Sequence, residues 1–482
     1  MYNISKKGGD NMVGRKEEIQ MLQETLNSSK AEFVAVYGRR RVGKTYLVKE
    51  FFNDTFSFYS TGVKNVNTRQ QLRIFKEALE KYGDEIKSSP KDWFEAFSRL
   101  EKVLSSDKVK REYKTGKRIV FLDELPWMDT ARSDFKSALD YFWNSWGASQ
   151  KDLVLIVCGS ATSWIINNVV KDTGGFYNRL TKQIHLMPFN LEECETLLKT
   201  NGMNLTRRQV VEGYMVFGGI PYYLNYLKPQ YSMAQNIELL FFNENGPLRY
   251  EFDQLFKSLF KNADKYIEII RELAHKNSGC TRAELMSNNR ITGGKELTSC
   301  LEDLEQCGFI RKYHDYSKPN SGFHYQLIDS LSLFHLTFME KQRICSWMDY
   351  INTPAYYAWS GIAFERVCLL HTKQIKKALG IAGISSYYYA WSSKKTSPGV
   401  QIDLLIDRKD DVINVCEIKY TLDEFEITAS YEKEIIHKME TFQKETKSKK
   451  SLWPTMISFS GIKNNKHKNI IVNEITAEDL FK

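Results

Sequence analysis

The sequence of 482 residues lacks several features that would place it in other protein classes. It has no run of about 18 apolar residues, so no membrane-spanning helix is predicted. Residues 1–12 are polar and lack the apolar stretch of a secretion signal. The eight cysteines form no Cys-x-x-Cys pair, so we expect reduced thiols in a cytoplasmic protein and no zinc site. Internal repeats and low-complexity tracts are also absent.

The composition that remains is typical of a globular protein with a mild positive charge. Hydrophobic residues make up 42% of the chain, charged residues make up 26%, and the formal net charge is +9. A chain of this length holds about three domains. The positive charge suits contact with a polyanion such as nucleic acid, but charge alone assigns no partner.

The most informative motif is Gly38-x₄-Gly43-Lys44-Thr45, which directly follows a strand predicted at residues 33–37. The glycines let backbone N–H groups surround phosphate oxygens. Lys44 reaches the β- and γ-phosphates, and the hydroxyl of Thr45 holds Mg²⁺. The motif therefore predicts a site for ATP and Mg²⁺.

A second apolar strand, at residues 118–122, ends in Asp123 and Glu124. Ligands of parallel α/β sheets bind at the carboxyl ends of the strands. We therefore expect Asp123 to hold Mg²⁺ through water and Glu124 to orient or deprotonate the attacking water. The alternative is that the two acids only cap the following helix.

Three further positions extend this site. Ser160 follows an apolar strand at residues 153–158 and is predicted to sense the γ-phosphate, although Ser160 or Ser163 would also suit a helix N-cap. Arg179 is predicted to be an arginine finger in its own or a neighbouring subunit, which leaves an oligomer open; the alternative is a solvated arginine. Pro221 lies in a compact glycine-containing break that is expected to face the nucleotide.

Strands and helices alternate through this half, which predicts an α/β fold with a parallel, three-layer sheet. Together the motifs resemble the archaeal-type ATPases of the AAA+/STAND-like branch of P-loop NTPases, over residues 12–260. The resemblance rests on Val13-Gly14-Arg15, Gly38 to Thr45, Leu122-Asp123-Glu124, Gly159-Ser160 and Gly218-Gly219-Ile220-Pro221. It implies that Val13, Gly14 and Arg15 contact the adenine side and that Pro221 occupies the second sensor position. We assign residues 12–200 to the ATPase core and 201–260 to a helical lid.

Residues 261–345 show three amphipathic helical patterns, followed by two strands joined by a turn at 318–322. This order predicts a winged helix-turn-helix. Its third helix would read a DNA groove. That helix is acidic, however, and acids repel phosphates, so packing against the ATPase domain is the alternative.

The C-terminal region, residues 355–482, is predicted to run helix, strand, strand, strand, helix, strand. Asp403 lies on one strand, and Glu417 and Lys419 lie on the next, where residues two apart share a face. Asp403, Glu417 and the carbonyl of Ile418 supply hard oxygens for Mg²⁺, and Glu365 on the preceding helix binds it through water. Lys419 then positions the attacking water.

This pattern resembles the PD-(D/E)xK nuclease fold, which is restriction-endonuclease-like, and the domain of unknown function that follows some archaeal-type ATPases. Ile402 stands where the motif has proline. The alternative is an ordinary cross-strand ion pair between Asp403 and Lys419. Lysines of the last predicted helix suit a nucleic-acid backbone or a solvated surface.

The sequence therefore predicts an ATPase coupled to a metal-dependent nuclease that cleaves DNA. The family resemblance suggests a setting in mobile-element or phage defence. The alternative is a STAND-like regulatory NTPase that binds DNA or a protein partner without cutting.

Overall fold

The structure is a computed structural model that describes residues 12–160, 162–170, 179–316, 323–340, 346–393 and 395–482. The chain divides into two compact units, residues 1–188 and 189–482. Among the helices that are described, none is long and apolar enough to cross a membrane.

The first unit contains one parallel sheet of five strands in the order β2-β3-β4-β1-β5. Its strands are β1 (Glu32–Tyr37), β2 (Phe58–Thr61), β3 (Arg118–Asp123), β4 (Leu153–Gly159) and β5 (Lys182–His185). Every residue of β1, β3 and β4 is buried. Continuous apolar strands of this kind need helices on both faces of the sheet, and the predicted parallel α/β architecture is confirmed.

Helices cover this sheet, and several begin with side-chain caps that the sequence encodes. Asn67, for example, accepts a hydrogen bond from the backbone of Gln70, whose side chain returns the contact. The helices are α1 (Lys16–Asn27), α2 (Lys44–Phe51), α3 (Thr68–Lys81), α4 (Trp93–Leu104), α5 (Leu125–Met128), α6 (Phe135–Ser145) and α7 (Thr162–Ile165). A 3₁₀ turn at Gly147–Ser149 and a π turn at Ile166–Val170 complete the unit.

The first unit has an aromatic core between the sheet and helices α3, α4 and α6. Trp93 lies 4.7 Å from Phe135 between ring centres, and Phe97 lies 5.4 Å from Phe142. These rings are buried together with Phe58 and Phe75. The core fixes the strand ends from which the functional side chains project.

The second unit begins with a helical region, as the sequence predicts for residues 205–260. Its helices are α8 (Leu191–Thr200), α9 (Arg207–Phe217), α10 (Pro221–Leu224), α11 (Met233–Ile237) and α12 (Glu251–Leu259), with a π turn at Glu238–Phe242.

Three helices and a three-stranded antiparallel sheet follow, in the order predicted for the middle of the chain. They are α13 (Ala263–His275), β6 (Cys280–Thr281), α14 (Arg282–Met286), α15 (Lys295–Gln306), β7 (Ile310–His314) and β8 (Phe323–Leu327). The strand order is β6-β8-β7. The predicted turn at 318–322 lies outside the described residues.

The last region is a mixed five-stranded sheet with helices on it. Its elements are α16 (Ser330–Phe334), α17 (Pro354–Leu370), α18 (Thr372–Ala378), β9 (Ser386–Ser393), β10 (Val400–Arg408), β11 (Val412–Lys419), α19 (Ala429–Thr446), β12 (Ser451–Ser458) and β13 (Asn473–Thr476). A π turn lies at His335–Met339, and 3₁₀ turns lie at Trp347–Asp349, Lys466–Ile470 and Ala477–Phe481.

The strand order of this sheet is β13-β12-β11-β10-β9. Strands β9, β10 and β11 are antiparallel, whereas β11, β12 and β13 run parallel. Helix α19 connects the parallel strands β11 and β12. The predicted order of helix, three strands, helix and strand is present, and the structure adds α18 and β13.

Candidate functional site

The loop after β1 has the geometry of a phosphate-binding loop. Gly38 has a φ of +142°, and a side chain there would place its Cβ 2.3 Å from the carbonyl oxygen of Leu186. Only glycine fits this position. The ammonium of Lys44 donates to the carbonyl oxygens of Gly38 and Arg39, each at 2.9 Å. The loop thus holds the lysine at its centre, and Gly43 precedes the first residue of α2.

The predicted magnesium ligands of the first unit lie together. The hydroxyl of Thr45 donates to Asp123 Oδ2 at 2.9 Å, and Asp123 Oδ1 accepts the backbone N–H of Glu124 at 2.9 Å. Asp123 is buried. The burial of Tyr59, together with the negative charge of Asp123, raises the pKa of Tyr59 to about 12. A hydroxyl beside a carboxylate, next to a phosphate loop, is a donor set that suits Mg²⁺.

Glu124 and Ser160 are joined directly. Glu124 Oε2 accepts from the hydroxyl of Ser160 at 2.9 Å and from its backbone N–H at 3.1 Å. Glu124 stands before α5, but its side chain makes no capping hydrogen bond there. The carboxylate therefore points to the residue that follows β4, and the capping alternative does not describe it.

The residues before α1 contact the loop by a route that the sequence did not predict. Arg15 is buried, and its guanidinium donates to the carbonyl oxygen of Met187 at 2.7 Å and to that of Val42 at 3.0 Å. Arg15 thus ties the phosphate loop to the segment after β5. Val13 and Gly14 are half-buried beside it, and their adenine contact stays a prediction.

The roles predicted for the finger residue Arg179 and for Pro221 at the second sensor position stay predictions. Arg179 is exposed, and residues 174–178 of its loop lie outside the described residues, so its finger role stays a prediction. Pro221 belongs to the second unit, where it is the first residue of α10.

In the second unit, Asp403 and Glu417 lie next to the last residues that pair between β10 and β11. The ladder between these strands ends at Leu404 and Cys416. Asp403 is half-buried and accepts from the side chain of Gln401 at 2.7 Å. It lines a cleft of about 320 Å³ between β10 and the strands β7 and β8.

Glu417 is buried, and both of its carboxylate oxygens have partners on α19. Oε1 accepts from the ammonium of Lys438 at 2.8 Å, and Oε2 accepts from the hydroxyl of Tyr431 at 3.0 Å. Burial favours a neutral Lys438, but the charges of Glu417 and Glu434 and the hydrogen bonds to them outweigh this effect and raise the pKa of Lys438. The lysines of this helix are predicted to face a nucleic-acid backbone or solvent, whereas the ammonium of Lys438 contacts Glu417.

The alternative of a cross-strand ion pair between Asp403 and Lys419 is not found among the described residues. The ammonium of Lys419 lies 5.3 Å from the ring centre of Tyr431. Lys419 is half-buried. Its position beside Glu417 on one strand is confirmed, and its contact with water or phosphate stays a prediction.

Glu365 has protein partners in the structure, and its role as a water-mediated metal ligand stays a prediction. It forms an ion pair with Arg366, and Gln326 donates to it at 3.4 Å. Burial raises the pKa of Glu365 against the opposing effect of Arg366. A buried carboxylate needs a cation, and Arg366 supplies it. In the described part of the chain, no group of three or more His, Cys, Asp or Glu side chains is placed to hold a metal ion.

The middle segment packs against the C-terminal sheet rather than standing free. Arg311 is half-buried, and its guanidinium donates to the side chain of Gln326 at 2.5 Å. Burial and the like charge of Arg366 lower the pKa of Arg311 to about 10. The N–H of Tyr316 donates to the carbonyl oxygen of Ala390 at 3.3 Å, and its ring contacts Phe442. These contacts favour a structural coupling role for this segment, although the partner is the C-terminal sheet.

Comparison with known families matches residues 12–227 to the ATPase domain predominantly from Archaea. An uncharacterised protein of Methanocaldococcus jannaschii is 27% identical over 300 residues. That match spans 62% of this chain and 62% of the relative's own length. An uncharacterised ATP-binding protein of the same organism is 50% identical over 42 residues, which are 9% of this chain and 71% of that protein. The first half of the chain is thus similar to archaeal-type ATPase domains.

Solved structures give weaker likenesses. The Walker-type ATPase of Pyrococcus abyssi has a TM-score of 0.47 and 17% identity, over 70% of this chain and 99% of that one. The ORC2 protein of Aeropyrum pernix, in ADPNP and ADP complexes, has a TM-score of 0.41 and 13% identity, over 75% and 96%. Scores this low carry no further argument about this chain.

Proposed function

We propose that the first unit binds ATP with Mg²⁺ and hydrolyses it. The observation that carries this proposal is the hydrogen bond between Thr45 and Asp123, beside a loop that already holds Lys44. When ATP binds, Lys44 exchanges two loop carbonyls for phosphate oxygens. Thr45 and Asp123 hold the ion, which neutralises phosphate charge.

Glu124 acts on the attacking water in this proposal. The hydroxyl and N–H of Ser160 fix one carboxylate oxygen, so the other is left to accept a hydrogen bond from water. Because Ser160 lies at the end of β4, it also couples Glu124 to the strand beside β1.

Loss of nucleotide binding in Lys44→Ala tests this assignment. A fluorescent ATP analogue should bind the wild-type chain and fail to bind the variant at the same concentration. Lys102→Ala, an exposed lysine of α4, is the matched control and should bind normally. Equal binding by Lys44→Ala would contradict the phosphate-loop assignment.

For the second unit, we infer a metal-dependent nuclease that cleaves DNA, with Asp403, Glu417 and the Ile418 carbonyl as ligands of Mg²⁺. The mixed sheet supports this, as does the position of both acids, each directly after the last residue that pairs between β10 and β11. The donor oxygens suit a hard cation. Both oxygens of Glu417 already accept hydrogen bonds. An ion can therefore bind this carboxylate only after Lys438 has moved away.

Nicking of supercoiled DNA in Mn²⁺ tests the nuclease assignment. The wild-type chain should nick and Asp403→Asn should not, whereas Asp407→Asn on the same strand should behave as the wild type if it folds normally. Equal nicking by Asp403→Asn would contradict the assignment.

The second candidate is a regulatory NTPase that binds DNA or a protein partner without cutting. The neutralised carboxylates of Glu365 and Glu417 favour it. DNA binding without cleavage in any divalent ion, together with normal ATP turnover, would select this function over the nuclease.

A further inference from the structure

We propose that Lys438 is an internal counter-cation at Glu417, and that a divalent ion enters the C-terminal site only by displacing it. The proposal rests on the metal site of the proposed nuclease. It concerns metal binding, however, and not cleavage. It gives Lys438 a role that no motif in the sequence assigns.

The helix places Lys438 at Glu417 with a defined geometry. Tyr431 and Lys438 are seven residues apart on α19, nearly two turns, so both project from one face of the helix. Their polar atoms lie 3.0 Å and 2.8 Å from the two oxygens of Glu417. Each oxygen thus has one donor, and the donor on Oε1 carries the positive charge that a metal ion would otherwise supply.

Burial makes this ion pair an effective competitor. The side chain of Lys438 is 14% exposed and that of Glu417 is 8% exposed. Solvent and salt screen such a pair poorly. A metal ion that replaces Lys438 must therefore compensate for the lost attraction between Lys438 and Glu417. An exposed pair would be displaced at little cost.

A second acid gives the displaced lysine a place to go. The ammonium of Lys438 also lies 3.1 Å from Glu434, one helical turn before it. Glu434 is 51% exposed, so the lysine reaches it at the protein surface. Lys438 can therefore leave Glu417 and keep a carboxylate partner. The site thus has two arrangements, with Lys438 shared between both acids or held by Glu434 alone.

Asp403 is the point at which the ion would first bind. Its hydrogen-bond partner is the neutral amide of Gln401, and it lines the cleft. Glu417, in contrast, is already bound to the ammonium of Lys438. Metal binding would therefore begin at Asp403 and be completed when Glu417 exchanges Lys438 for the ion.

Titration of the full-length chain with Mn²⁺ in the absence of nucleotide tests the proposal, with free Mn²⁺ followed by its electron paramagnetic resonance signal. We expect Lys438→Gln and Lys438→Met to bind Mn²⁺ about tenfold more tightly than the wild type. Lys433→Met, which removes an exposed lysine from the same helix, should leave the affinity unchanged. Asp403→Asn added to Lys438→Gln should abolish the gain.

Folding is controlled by the choice of variants. Lys438→Met leaves the buried Glu417 with Tyr431 only, whereas Lys438→Gln keeps a neutral donor and is the safer substitution. A second readout is thermal: added Mn²⁺ should raise the unfolding temperature of Lys438→Gln more than that of the wild type. Affinity that is equal to or weaker than the wild type in Lys438→Gln, or no measurable binding in either chain, would overturn the proposal.

These outcomes are independent of cleavage. Tighter Mn²⁺ binding in Lys438→Gln with no nicking by any variant would sink the nuclease assignment and leave the role of Lys438 intact. Nicking by the wild type with no change of affinity in Lys438→Gln would do the reverse.

Discussion

The two acid sites of this chain differ in what their carboxylates contact. In the first unit, Asp123 and Glu124 accept from hydroxyl and N–H groups, which are neutral. In the second unit, Glu365 and Glu417 are bound to cationic side chains. A carboxylate with neutral partners keeps its negative charge available for a metal ion, whereas the charge of a carboxylate paired with a cation is already compensated. In the second unit Asp403, which accepts from the neutral amide of Gln401, resembles the acids of the first unit in this respect.

The largest expected effect sharpens the first half of this comparison. Glu124→Gln should bind ATP normally but hydrolyse it about 10²–10⁴ times more slowly, because an amide cannot accept the proton of the attacking water. Single-turnover hydrolysis and a separate binding titration measure the two steps. Normal hydrolysis by this variant would show that Glu124 does not act on water.

Removal of Arg366 tests whether the second unit depends on its internal cations. Arg366→Met should lower the free energy of unfolding by about 3–5 kcal/mol, because Glu365 loses the cation with which it is paired. Denaturant unfolding measures the change. Adding Glu365→Gln should recover much of the loss, and a cost that stays the same in the double variant would show that packing, not charge, is responsible.

A buried histidine predicts that the second unit loses stability in acid. His371 accepts the backbone N–H of Leu191 at 3.0 Å, and burial lowers its pKa to about 4 from an ordinary 6.5. The folded state therefore favours the neutral ring. Its contribution is complete above pH 6.5 and is lost as the pH falls from 6.5 towards 4, by about 3 kcal/mol.

The free energy of unfolding, measured at a series of pH values, gives the slope of stability against pH between 4 and 6.5. His371→Asn, which keeps an acceptor but cannot be protonated in this range, should flatten it. An equal slope in the variant would assign the acid sensitivity to other groups.

The smallest expected effect concerns Ser160. Ser160→Ala removes one of two donors to Glu124 and leaves the backbone N–H, so hydrolysis should slow by about tenfold. Pre-steady-state hydrolysis at saturating ATP measures it. A loss as large as that of Glu124→Gln would mean that Ser160 contacts the reacting phosphate itself.

Local motifs explain why the first site could be predicted. The glycine positions, the lysine and the strand-end acids follow one another within short segments, and their chemistry needs only the parallel sheet to bring them together. Thr45 and Asp123, each predicted to hold Mg²⁺, are joined by a hydrogen bond of 2.9 Å. The role of Arg15 was missed, since its acceptors at Val42 and Met187 are distant in sequence.

The partners in the second unit depend on tertiary packing, so the sequence analysis did not find them. Lys438 is 21 positions from Glu417. Helix α19 also carries other lysines, and the neighbouring sequence alone does not distinguish them from Lys438. One signal was present: Tyr431, Ile435, Lys438 and Phe442 follow helical spacing, and the two apolar members are buried. That stripe marks Lys438 as the lysine that faces the sheet.

The most direct test of the comparison is a Mn²⁺ titration of the wild-type chain and Lys438→Gln, each with and without a non-hydrolysable ATP analogue. We expect tight Mn²⁺ binding by the wild type only when the analogue is present, and by Lys438→Gln also in its absence. Tight binding at Asp403 and Glu417 by the wild type without nucleotide, at the affinity of Lys438→Gln, would contradict the account.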